Sequence, residues 1–134
     1  MKKTGFMCGT FDLLHAGHIL AFIEAKKFCS TLVVALNIGD NIDTSVNPGK
    51  MAPIFSYDDR KLILENIKLI DKVLIYKDEN HLIEIIKEIN PDIRFLGEDY
   101  KNSKITGKEI CNEIHYLSRS HGKSSSGYKN IIKS

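Results

Sequence analysis

GFMCGTFDLLHAGHILAFIEAKKF, residues 5–28, and TLVVAL, residues 31–36, set the reading of the whole chain. Residues 5–8 are a brief apolar run stopped by Gly9, which predicts a buried strand. Across residues 16–28, Ile19, Leu20, Phe22, Ile23 and Phe28 recur at near-helical spacing, with Glu24, Lys26 and Lys27 on the other face. Residues 31–36 are β-branched and apolar without alternation, as in a strand covered on both faces.

Working outward, the same alternation continues. Ser56 with Asp59 forms a capping-box signature and predicts a helix running to about residue 68. Residues 72–76 read as a third strand and 79–89 as a helix ended by Asn90-Pro91. Residues 92–96 read as a fourth strand closed by Gly97. Thr106 with Glu109 is a second capping-box signature, predicting a short helix through about residue 112. Residues 114–117 read as a fifth strand, and residues 124–126 cap a last helix ending near residue 132. This order predicts an α/β fold: a doubly wound parallel five-stranded sheet with right-handed crossovers and helices on both faces. One domain over residues 1–134 is expected. Residues 37–55, with Gly39, Asp40, Pro48, Gly49 and Pro53, are long for a loop in a compact domain, and such loops usually carry function.

Composition narrows the function classes. In 134 residues, 43% hydrophobic and 27% charged side chains exclude a disordered or collagen-like chain. A net charge of +2 is too small to make nucleic acid or an anionic membrane the main partner. The 19 basic residues include only three arginines, Arg60, Arg94 and Arg119, which singles those positions out. Cys8, Cys29 and Cys111 contain no C-x-x-C pair, so neither a disulfide framework nor a zinc knuckle is expected. Met1-Lys2-Lys3 leads into no apolar segment, and no run approaches the roughly 18 apolar residues of a membrane span. A cytoplasmic domain with reduced thiols is expected.

In an open parallel sheet, ligands sit beyond the carboxyl ends of the strands, and the polar stretches of this chain fall there. After the first strand come Gly9, Thr10, Phe11, Asp12 and then His15 and His18. The spacing of the two histidines puts both imidazoles on one face of a helix's first turn, beside backbone N–H groups and the positive end of the dipole. That place suits phosphate, and imidazole N–H groups there can stabilise charge on transferring oxygens. Gly9 and Gly17 allow close approach to the backbone. Taken alone, the pair also reads as two ordinary surface histidines; a zinc pair would need further ligands. The second anion-binding candidate is the tail, where Arg119, Lys123, Ser124, Ser125 and Ser126 gather at a helix start, a stretch that also reads as a solvated basic end. Lys50 in the long loop, Arg60 near its helix start, and Glu98-Asp99 in a polar turn complete the set. Cys8 reads as a small packing residue.

GTFDLLHAGH resembles the H-x-G-H signature of the nucleotidyltransferase superfamily, in the G-x-F-D-x-x-H-x-G-H form of its cytidylyltransferase branch. Arg60 in SYDDRKLIL resembles the E-x-R-x-x-x-L helix of glycerol-3-phosphate cytidylyltransferases. FLGEDY is similar to their G-x-D-[WY] turn, and RSHGKSSS to their R-T-x-G-[IV]-S-T-[ST] motif. The resemblance implies a Rossmann-like fold and transfer of CMP from CTP to a phosphorylated small alcohol, glycerol 3-phosphate first, giving a CDP-alcohol for a cell-surface polysaccharide precursor and pyrophosphate. It implies His15, His18, Lys50 and Arg119 as catalytic. Gly9, Thr10, Phe11, Gly97, Asp99, Ser124, Ser125 and Ser126 would help hold the nucleotide, and Asp12, Lys50, Arg60 and Tyr100 the acceptor. Mg²⁺ held mainly by the CTP phosphates, no protein metal site, and a homodimer are also implied.

The chain departs from that pattern in two places. His121 and Lys123 stand where acidic and aliphatic residues are usual. DYKNSKITGKE, residues 99–109, resembles heptose-phosphate nucleotidyltransferases as much as the glycerol phosphate enzymes. The alternatives are therefore another polyol, sugar or amino-alcohol phosphate as acceptor, an adenylyltransferase on the same fold, or a non-catalytic nucleotide-binding module.

Overall fold

A computed structural model describes residues 2–38, 53–118, 122–123 and 125–133. Five strands, β1 (Thr4–Gly9), β2 (Thr31–Asn37), β3 (Lys72–Tyr76), β4 (Ile93–Gly97) and β5 (Ile114–Leu117), form one sheet in the order β3-β2-β1-β4-β5. All four neighbouring pairs are parallel, with Phe6 opposite both Val33 and Arg94. The helices are α1 (Ala16–Lys26), α2 (Tyr57–Glu65), α3 (Glu79–Ile89) and α4 (Ser125–Lys133).

Side-chain alternation along the buried strands sorts two apolar layers. Met7, Leu32, Val34, Leu36, Ile93, Phe95 and Leu117 meet Phe22 and Ala25 of α1 and Leu64 of α2. Phe6, Val33, Ala35 and Tyr76 face the other way, onto Leu82, Ile85 and Ile86 of α3. Helices therefore cover both faces, as expected for a parallel sheet whose strands are apolar on each side. Gly5 is needed for this packing: a Cβ there would lie 2.5 Å from the Phe95 ring and 2.7 Å from Cys29 Sγ.

Local chemistry explains the boundaries. Ser56 caps α2 by accepting from the Asp59 N–H at 3.2 Å, and Asp78 caps α3 by accepting from His81 N at 2.8 Å. Asn90, left-handed at φ 45°, closes α3 ahead of Pro91. The first helix ends at Lys26 and does not reach residue 28. The Lys26 ammonium donates to Ser30 O and Asp71 Oδ2, both at 2.8 Å, and Asp71 in turn accepts from Leu32 N at 2.7 Å. This clasp turns the chain into β2; of the expected apolar face Phe22 is buried and Ile19 packs on the core, whereas Leu20, Ile23 and Phe28 are exposed.

The signature at Thr106 and Glu109 yields only a 3₁₀ turn, Lys108–Ile110, entered through Gly107 at φ 76°. The Thr106 carbonyl that would open an α-helix instead accepts from Arg94 Nη1. A second 3₁₀ turn, Glu98–Tyr100, follows β4. Among the described residues, no helix is long and apolar enough to cross a membrane.

Candidate active site

The strand order reverses between β1 and β4, because the chain builds outward through β2 and β3 and then returns to the other side. A crevice at the carboxyl ends of those two strands is the expected ligand site. The loop leaving β1 carries residues 10–14, and its backbone is strained. Phe11 and Leu13 both adopt left-handed conformations, at φ 50° and 48°. For bulky side chains this costs on the order of 1–3 kcal/mol each and persists only where surroundings enforce it.

Asp12, between them, supplies the enforcement. The residue is 3% exposed, and its carboxylate accepts from Ile54 N at 2.6 Å and Phe55 N at 2.9 Å, while Lys129 Nζ of α4 lies 2.7 Å away. Burial alone would push this carboxyl up, but the Lys129 bond and the two backbone N–H groups outweigh it and hold Asp12 below the ordinary carboxylate value.

His15 is the N-cap of α1. Its Nδ1 accepts from Gly17 N at 3.0 Å, and His18 Nδ1 accepts from His15 N at 3.1 Å, a reciprocal capping box built from two imidazoles. With each Nδ1 acting as acceptor, the proton of each neutral ring sits on Nε2. The rings lie 4.1 Å apart centroid to centroid, and Phe11 stands 6.0 Å from His18. Tyr128 of α4 approaches His15 edge-on at 5.0 Å. Helix α4, which follows the basic tail in sequence, thus meets the first imidazole of the pair. Gly17 is buried beneath them.

Gly9 and Thr10 line the exit of β1, half-buried. Gly97 is buried at the end of β4, Asp99 is exposed in the turn after it, and Tyr100 is half-buried there. Lys50, Arg119 and Ser124 lie outside the described residues; Ser125 and Ser126 are the first two residues of α4.

Arg60 and Asp12 are expected at the substrate. The structure gives Arg60 a buried position, 1% exposed, where its guanidinium donates to four carbonyls. These are Thr10 O and Asn37 O, each at 2.9 Å, Phe55 O at 3.0 Å and Ser56 O at 3.3 Å. Arg60 therefore ties the exits of β1 and β2 to the start of α2, and Asp12 ties the same loop to α2 and α4. Both brace the floor of the site.

Spacing gives no signal for several residues that build this region. Glu24, on the polar face of α1, accepts from Ser118 N at 3.2 Å and pairs with His115 Nε2 at 2.8 Å, anchoring the end of β5 beside α1. Arg94 is 1% exposed on the α3 face, with Nη2 3.5 Å from Cys8 Sγ and Nε without a partner among the described residues. Burial pushes Cys8 up, against the neighbouring Arg94, and pushes Tyr76 far up as well.

A five-stranded parallel sheet with paired imidazoles at its switch point defines the nucleotidyltransferase class of α/β folds. The chain belongs to the cytidylyltransferase-like family, whose model matches residues 6–122. It is 37% identical to the bifunctional protein HldE of Campylobacter concisus over 98% of this chain, and 35% identical to HldE of Helicobacter pylori, also over 98%. It spans only 27% and 28% of those relatives' lengths. The crystal structure of a lipopolysaccharide core biosynthesis protein from Thermoplasma volcanium superposes with a TM-score of 0.65 at 26% identity, covering 87% of this chain and 98% of that one. Plasmodium falciparum nicotinic acid mononucleotide adenylyltransferase shares the fold at 18% identity and a TM-score of 0.54, covering 99% of this chain and 71% of that one.

Proposed function

We propose that this chain transfers a nucleoside monophosphate from a nucleoside triphosphate to a phosphorylated sugar, releasing pyrophosphate. The observation that carries the reading is the His15–His18 pair. Two rings, each with Nδ1 accepting a capping bond, carry their ring N–H on Nε2 at a helix N-terminus that attracts phosphate. An ionised phosphate oxygen of the acceptor attacks the α-phosphorus in line and the α–β bridging bond breaks, so no protein nucleophile is needed. Catalysis is then positioning and electrostatic stabilisation. His15 and His18 donate to the oxygens on which charge grows, and the basic tail residue Arg119 and Lys50 of the long loop add cationic groups. Asp12 is spent on protein partners. In this reading a Mg²⁺ ion would be held mainly by the phosphates of the nucleotide and would supply charge neutralisation there.

A sugar phosphate is favoured as acceptor by the likeness to a lipopolysaccharide core biosynthesis protein and by the 99–109 stretch, which resembles heptose-phosphate nucleotidyltransferases. CMP transfer to glycerol 3-phosphate is the second reading, favoured by the form of the GTFDLLHAGH motif. CTP is the donor in the glycerol reading, and ATP and CTP are the candidate donors in the sugar-phosphate one. Pyrophosphate release tests both, with ATP or CTP against sugar 1-phosphates, including a heptose, and against glycerol 3-phosphate. Turnover with a sugar phosphate supports the first reading. Turnover with CTP and glycerol 3-phosphate alone replaces it with the second.

A further inference from the structure

We propose that Lys129 is a positioning residue for the transfer, acting through Asp12 and Tyr128 to hold the imidazole pair in its working arrangement. The inference rests on the reaction proposed above and adds to it a residue outside the basic tail motif. Three segments remote in sequence meet on one buried carboxylate: the β1 exit, the entrance to α2 through Ile54 and Phe55, and α4 through Lys129. The side chains of Lys129 and Asp12 are only 6% and 2% exposed. A buried ammonium must be paired, so α4 seats only where Asp12 presents its carboxylate.

The converse holds for the loop. Phe11 and Leu13 keep their left-handed backbones on either side of Asp12 because the carboxylate is clamped from both α2 and α4. His15 begins α1 just beyond this loop, and the residue beside Lys129 is Tyr128, whose ring meets His15 edge-on at 5.0 Å. Docking of α4 therefore fixes the imidazole from two sides, through the loop that leads into it and through direct ring contact.

The test compares Lys129→Met, which keeps the stem and loses the charge, with Lys129→Arg, which restores it. A second route is Tyr128→Leu, which leaves the ion pair in place. Two readouts are needed: steady-state pyrophosphate release resolved into kcat and KM, and the His15 ring C–H resonance, which senses the Tyr128 ring without any turnover. Misplacement of a reacting group by about 1 Å costs on the order of 10²-fold. Lys129→Met is therefore expected to lose about that much in kcat with nucleotide KM changed less than about threefold, to shift the His15 resonance, and to recover both as Lys129→Arg. If Lys129→Met fails to fold, Tyr128→Leu is expected to lower kcat and shift His15. A folded Lys129→Met with wild-type kcat and an unmoved His15 overturns the inference, and so does Tyr128→Leu with wild-type kcat. If no donor and acceptor turn over, a His15 resonance that moves in Lys129→Met and returns in Lys129→Arg upholds the positioning while the proposed reaction falls.

Discussion

The backbone N–H of His15 donates to Nδ1 of His18 at 3.1 Å, so the main chain at the first histidine of the site orients the imidazole of the second. This bond has a structural consequence, a stable helix start, and a chemical one, a fixed Nε2 donor. Substitution can separate them. A glutamine at position 18 retains capping capacity, since Gln is accepted at the third position of a capping box. His18→Gln is expected to melt close to wild type yet lose about 10²–10³ in turnover, as for removal of one transition-state donor. Wild-type turnover in His18→Gln, read by pyrophosphate release, contradicts the assigned role.

Acid should unfold the protein through Asp12. Its carboxyl sits below the ordinary value when folded, so the unfolded chain binds the proton more readily. The stabilisation is fully present above the unfolded value of about 3.9 and disappears as pH falls through the lower folded value. Asp71, held down by Lys26 and Leu32 N against its burial, acts in the same direction. Thermal unfolding between neutral pH and pH 2 should show a steep loss only below about pH 4, weaker in Asp12→Asn. Stability that rises on acidification through that window contradicts this.

Two buried arginines make different forecasts. Arg60 satisfies four carbonyls, and Arg60→Met leaves them without those donors, an expected cost on the order of 3 kcal/mol. Arg94 donates to a single carbonyl, that of Thr106, and among the described residues it has no carboxylate partner and Nε is unpaired, so Arg94→Met is expected to cost about 1 kcal/mol or less. Urea unfolding of the two variants decides it; equal losses contradict the distinction.

The thiols should differ in reactivity. Cys29 is 3% exposed, and burial pushes both Cys29 and Cys8 up, which keeps them protonated at neutral pH. Alkylation at pH 7.5 followed by mass spectrometry is expected to modify Cys111 first, and Cys8 and Cys29 only on unfolding. Rapid labelling of Cys8 in the folded protein contradicts the environment described for it.

Sequence pattern carried the scaffold well where local chemistry acts alone. Residues 72–76, 79–89 and 114–117 form the elements read for them, because an apolar run or an Asp78 cap and Asn90-Pro91 stop suffices. The reading of α1 ran long because apolar spacing does not report which side meets the sheet; Leu20 and Ile23 fit a helical face and are exposed. The capping pair at 106 and 109 yielded to Arg94, a contact from β4 that periodicity cannot register. His15 and His18 were legible because their spacing is local. Lys129 on Asp12, Tyr128 on His15 and Glu24 on Ser118 were not, since each pairs residues from opposite ends of the chain. Arg60 was recognised as special for its rarity, but its burial against four carbonyls is a property of the folded loop exits.

The central claim is that His15 and His18, with α4 against the first of them, hold the triphosphate. The most direct measurement is a crystal structure of the protein with a non-hydrolysable nucleoside triphosphate. The account predicts phosphate oxygens within hydrogen-bond reach of the imidazole Nε2 atoms at the start of α1. Nucleotide bound away from the carboxyl ends of β1 and β4, with neither imidazole touching phosphate, would contradict it.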